Sequence, residues 1–105
     1  MRTTLALVLL TACGGESGIY YCDNIALDST CSNYVGTQLA KRVEGTCSGD
    51  LLFGYCPEES VVGSCVVSGE IGLDVRFYSD GPEPYDAAGA EAVCAEQDGT
   101  WSAVP

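Results

Sequence analysis

Hydrophobic positions alternate most cleanly over "IGLDVRFYS", Ile71 to Ser79, where Ile71, Leu73, Val75 and Phe77 fall on one side and Gly72, Asp74, Arg76 and Tyr78 on the other. A period of two predicts a strand with one dry face, because successive side chains of an extended chain point to opposite sides. The valine-rich "VVGSCVVS", Val61 to Ser68, predicts a partner strand joined to it through Gly69-Glu70. Glycine first in a two-residue loop suits a type II′ hairpin turn. A three-residue turn fits almost as well and moves Cys65 to the other face, so the pattern leaves the register open.

The other elements follow from shorter signals. "LLFGY", Leu51 to Tyr55, bounded by Asp50 and Cys56-Pro57, predicts a short buried strand. "TQLAKRVE", Thr37 to Glu44, has Leu39, Ala40 and Val43 at helical spacing, with Thr37 placed to cap and Gly45 to stop a short helix. Asp86 is placed to cap a second helix over "AAGAEAVCAEQ", with Ala87, Ala90 and Cys94 at i, i+3 and i+7 and Gly99 beyond its end. Thr100, Trp101 and Val104 read as a last short strand or extended tail with Trp101 buried. "DSTCSNYVGT" and the proline-punctuated "SDGPEPYD" read as loops, the first held by Cys22 and Cys31. The fold class these imply is α+β: a small disulfide-rich domain with an antiparallel hairpin or three-stranded sheet and one or two short helices.

The N-terminal pattern is of another kind. Arg2 sits in a short polar head, Leu5 to Leu10 are apolar, and Leu10-Thr11-Ala12 leads into Cys13. Positive, apolar, small is the layout of a secretory signal, and the run is far below the ~20 residues a helix needs to cross a bilayer. "LTAC" resembles the lipobox of bacterial lipoproteins. The resemblance implies that Met1 to Ala12 are removed, that Cys13 receives a diacylglyceryl group on its sulfur and becomes the first mature residue, and that its amino group is then acylated, palmitate being one such chain. One acyl chain holds a membrane only marginally, whereas two or three hold it durably. Gly14 in place of an aspartate after the cysteine favours, by the same resemblance, the outer membrane. The organisation expected is a signal peptide over residues 1–12, a lipidated N-terminus and glycine-rich tether over 13–19, and one cysteine-rich domain over 20–105.

Composition supports this address. Seven cysteines in 105 residues is a density typical of small domains folded where thiols oxidise. With Cys13 acylated, Cys22, Cys31, Cys47, Cys56, Cys65 and Cys94 remain, the even number a closed disulfide framework requires. Spacing leaves all 15 connectivities open; a Cys56–Cys65 pair, closing a ten-residue loop, is one of them. Loss of Arg2 with the signal leaves three Lys and Arg against fifteen Asp and Glu, a side-chain charge of −12. That excess repels a phosphate backbone, so nucleic acid is not the expected partner. The order of "CPEESVVGSC", "RFYSDG" and "CAEQDGTW" further resembles small cysteine-rich lipoproteins of Gram-negative bacteria, a group that brings no catalytic residues with it.

Chemistry-bearing constellations are few. The chain has no histidine, which removes the usual general base and the Ser-His and Cys-His machineries. Gaps of 9, 16, 9, 9 and 29 positions between successive cysteines from Cys22 do not match the close pairs of a zinc site. Asp80, Glu83 and Asp86 lack the alternating ligands of a calcium loop. Neither enzyme nor cofactor is expected. What remains is contact surface, expected on the strand face of Asp74, Arg76 and Tyr78 with the neighbouring Asp80, Tyr85 and Asp86. The functional expectation is a lipid-anchored, non-catalytic envelope or surface module that binds a protein or glycan. The alternatives are a structural envelope component without a discrete ligand and an inhibitor of secreted proteases presenting the loop Pro57 to Ser64.

Overall fold

The computed structural model describes residues 17–104. The signal segment, Cys13 and the first part of the tether lie outside the described residues. Ser17 and Gly18 form β1, Tyr20–Asn24 β2, Ile25–Asp28 α1, Thr30–Tyr34 β3, Gln38–Leu39 β4 and Ala40–Val43 α2, which runs into a 3-10 turn over Glu44–Thr46. Asp50–Phe53 form β5, Val61–Val67 β6, Leu73–Tyr78 β7, Ala87–Glu96 α3 and Thr100–Ala103 β8. β1 and β4 make a small two-stranded sheet; the other strands form one antiparallel sheet in the order β5-β2-β3-β7-β6-β8.

The domain is thus mostly sheet, and the sheet has six strands where two or three were expected. The difference arises in two places. "DSTCSNYVGT" is not a loop: its middle is β3, paired on one side with β2 and on the other with β7. Asp28 starts it, its Oδ1 accepting from the Thr30 amide at 3.2 Å and the Thr30 hydroxyl at 2.6 Å. A strand rich in Ser, Thr and Asn survives there because both its backbone edges are paired and Cys31, with no exposed surface, is bridged to Cys56. "LLFGY" does yield a strand, β5, but at the sheet edge, with Leu52, Phe53 and Tyr55 exposed rather than buried.

Directly opposed residues share a face. Tyr20, Cys22, Tyr34, Leu73, Val75, Phe77, Cys65 and Trp101 therefore lie on one face, and Tyr21, Asp23, Cys31, Asn33, Asp74, Arg76, Tyr78 and Ser64 on the other. The expected dry side of Ile71 to Phe77 is borne out: Ile71 and Leu73 pack on a core of Tyr20, Cys22, Tyr34 and Val43 beneath α2, while Val75 and Phe77 pack with Cys65, Ala90 and Cys94 beneath α3. β7 thereby joins two cores on one face. The hairpin takes the odd register, Cys65 opposite Val75 and Val67 opposite Leu73, with Ser68 to Gly72 as the connection rather than Gly69-Glu70 alone.

Three disulfides fasten the covers to the sheet. Cys22–Cys47 ties β2 to the segment after α2, Cys65–Cys94 ties β6 to α3, and Cys31–Cys56 ties β3 to the β5–β6 connection on the opposite face. Cys56 is thus not paired with Cys65, which stands on the other side of the sheet. α3 starts as expected, Asp86 Oδ1 accepting from the Gly89 amide at 2.7 Å. α2 does not: it is four residues long, Leu39 rather than Thr37 precedes it without a side-chain cap, and the 3-10 turn runs through Gly45.

Candidate functional site

β5 lies at one edge and β6 beyond β2, β3 and β7, so residues 54–60 must cross the sheet. They do so on the face of Cys31 and Asn33. Cys31–Cys56 holds the crossing, Asn33 Oδ1 accepts from the Cys56 amide at 2.8 Å, and Tyr78 Oη donates to the Pro57 carbonyl at 2.6 Å. Beneath it Cys31, Cys56 and Tyr78 form a third buried cluster with Tyr21, Ile25 and Val61 packed on it.

This crossing changes the reading of the expected contact surface. Tyr78, taken as an exposed tyrosine, is 1% exposed and belongs to the core. Its removal from water, aided by Asp23, Asp80 and Tyr21 and opposed by Arg76, pushes its phenol up to about 12. Asp74 and Arg76 are on the same face, half-buried, and pair with each other at 3.2 Å. Tyr85 goes elsewhere: its ring meets Phe77 edge-on at 4.9 Å on the opposite face, its amide donates to the Tyr78 carbonyl at 2.9 Å, and its phenol is raised first by desolvation, then by Asp28 and Glu83. Asp86 is engaged as the cap of α3. Asp80 is exposed on the loop between β7 and α3. The six residues are therefore divided between the two faces and one end of the sheet.

That loop is pinned to the β2–β3 turn. Ser29, fully buried with a left-handed backbone, accepts at Oγ from the Glu83 amide at 3.0 Å, and its carbonyl accepts from the Tyr78 amide at 3.0 Å. Gly81, at φ +91°, runs so close to Ser29 and the Ile25 carbonyl that a Cβ would collide with both. The result is one end of the sheet carrying Asp28, Asp50, Asp80, Glu83 and Asp86, all exposed. Among the described residues no cluster of three or more carboxylates and cysteines is arranged to hold a metal, and no pocket is enclosed.

Of the segment Pro57 to Ser64, only the part to Ser60 is loop; Val61 already begins β6.

The opposite end shows what sequence reading missed. Val35, Leu39, Phe53 and Tyr55 are exposed there, Phe53 and Tyr55 at 66% and 67%. Phe53 and Tyr55 come from an apolar run of the kind that usually marks a buried strand, and Val35 and Leu39 from stretches that read as a loop and a helix. The chain enters at the same end: Ser17 pairs with Leu39, Gly18 with Gln38, and Phe53 lies against Gly18 where a Cβ would strike its ring. Within the stretch expected as tether, Ser17 and Gly18 are paired with β4 and the Ile19 carbonyl accepts from the Gly54 amide at 2.9 Å. No family model, no curated protein and no solved structure matches the chain.

Proposed function

We propose that this chain is a lipid-anchored, non-catalytic binding module of the bacterial envelope, held on the outer membrane through Cys13 and presenting its folded domain to a protein or glycan partner. The observation that carries the reading is that all six cysteines after Cys13 pair among themselves, which fits an oxidising compartment and leaves Cys13 outside the framework, as lipidation there requires. Four polar residues of the expected contact surface support the non-catalytic part because they hold the fold: Asp86 as a cap, Tyr78 on Pro57, Asp74 and Arg76 on each other. A partner with basic groups fits the five exposed carboxylates at the far end by simple complementarity, with association weakened by salt.

The experiment is palmitate labelling and fractionation of the wild-type chain and Cys13→Ser, followed by capture of envelope extract on the domain from Gly14 onward. Acyl label on wild type only, with Cys13→Ser left as precursor or soluble protein, is the expected result. Full membrane retention of unlabelled Cys13→Ser overturns the anchor, and turnover on hydrolase panels overturns the non-catalytic reading.

A further inference from the structure

Four exposed apolar side chains gather at one end of the sheet and five exposed carboxylates at the other, where Leu27 is the exposed apolar residue beside Asp28. β2 begins, and β3 and β5 finish, at the end where Ser17 enters; there Val35, Leu39, Phe53 and Tyr55 are exposed. Lys41 and Arg42, two of the three Lys and Arg among the described residues, follow Ala40 in α2, and Arg42 Nη2 donates to the Glu70 carbonyl at 3.4 Å. With Glu44 and Glu70 beside them, the charges around α2 balance. The other end carries Asp28, Asp50, Asp80, Glu83 and Asp86 with no exposed cation among the described residues.

We propose that the entry end is a membrane-docking surface: with Cys13 acylated, Val35, Leu39, Phe53 and Tyr55 rest in the headgroup layer of the same bilayer, and the carboxylate-rich end is aimed away from it. This rests on the lipid-anchor reading. Three residues separate Cys13 from Ser17, so the paired Ser17 stays within about 14 Å of the acylated cysteine even when the chain is fully extended. A surface held that near the bilayer meets it at high effective concentration, so contacts too weak to recruit a free domain are populated. Phe and Leu supply area for the headgroup–acyl boundary, about 5–10 Å deep, and tyrosine places its ring there with its hydroxyl toward water. Balanced charge around α2 opposes neither zwitterionic nor weakly anionic lipid, whereas the far end would be repelled by anionic headgroups. Orientation follows: the polar ends of β6 and β7 and the Ser79 to Asp86 loop are the part offered to a partner.

The test is NMR on the full processed chain in phosphatidylcholine nanodiscs doped with a headgroup spin-labelled lipid, with the acyl mass on Cys13 confirmed first. Amide signals of Val35, Leu39, Phe53 and Tyr55 should broaden several-fold more than those of Leu27, Asp80 and Glu83, and Phe53→Ser with Tyr55→Ser should even out the difference while the acyl mass and fold are retained. Uniform or absent broadening on the acylated chain overturns docking and leaves the anchor standing. A chain without acyl mass overturns both. Protection of the same face by self-association, seen as a dimer in sedimentation, replaces the bilayer with a second copy and also overturns the proposal.

Discussion

Tyr78 Oη donates to the Pro57 carbonyl at 2.6 Å, joining the buried end of β7 to the segment that crosses the sheet above it. The bond ties a residue in the middle of the sheet to backbone that would otherwise have to be held by Cys31–Cys56 and Asn33 alone. Tyr78→Phe keeps the ring and removes the donor, leaving a carbonyl unpaired; we expect a loss of about 1–2 kcal/mol in denaturant unfolding. Tyr78→Ala also empties the cluster of Cys31 and Cys56 and should cost about 3–5 kcal/mol. Neither substitution is a clean probe of binding.

The same residue sets an alkaline limit. Its folded phenol titrates near 12, above the ordinary 10, so the folded state holds the proton more tightly. Stability from this source is complete below pH 10 and falls as pH rises from 10 through about 12. Absorbance titration should find two of the six tyrosines, Tyr78 and Tyr85, ionising above the ordinary value, and Tyr78→Phe should remove the last step.

Asn33 stands opposite Asp74 in the β3–β7 pair and accepts from the Cys56 amide. Asn33→Ala should cost about 1–3 kcal/mol because a buried donor loses its partner. Asn33→Asp keeps an acceptor but sets two carboxylates side by side, so its deficit relative to wild type should be larger at pH 7 than at pH 3.

Gly99 faces the sulfurs of both Cys65 and Cys94, and a Cβ there would overlap Cys65 Sγ. Gly99→Ala forces α3 away from β6. We expect a loss of about 1–3 kcal/mol, with a lower melting temperature while the Cys65–Cys94 bond still forms.

Peptide mapping of the oxidised domain should recover Cys22–Cys47, Cys31–Cys56 and Cys65–Cys94. Replacing Cys65 and Cys94 by alanine should cost about 3.5 kcal/mol from loop entropy at a separation of 29 residues. That is a large fraction of a typical ~5–15 kcal/mol total.

Sequence patterns are informative here where one local rule acts alone. Asp86 is a cap because a carboxylate three residues before an amide can reach it, and α3 falls where its small residues suggest. The rule fails for Thr37, where pairing of Gln38 and Leu39 with β1 claims the backbone first. Tyr78 misled by parity: the non-dry side of β7 is usually solvated, and here a crossing segment covers it. The expected contact surface was legible only in part, since Asp80 and Asp86 do lie at an exposed end while Tyr85 packs on Phe77.

The alternation of Ile71, Leu73, Val75 and Phe77 by itself determined which side of β7 would be dry, and the even cysteine count determined that a framework could close. Neither determined which cysteine meets which. A hairpin one residue out of step would have placed Cys65 on the side of Asp74 and Arg76, far from Cys94; a valine-rich strand carries apolar residues on both sides and does not resist that slip. The tertiary structure decided it, because burying Val67 and Cys65 with Val75 under α3 requires the odd register, and only then do the two sulfurs meet. The same long-range logic put "LLFGY" at an edge: β3 and β5 compete for the two sides of β2, and a strand that pairs on one side only leaves Phe53 and Tyr55 in the open.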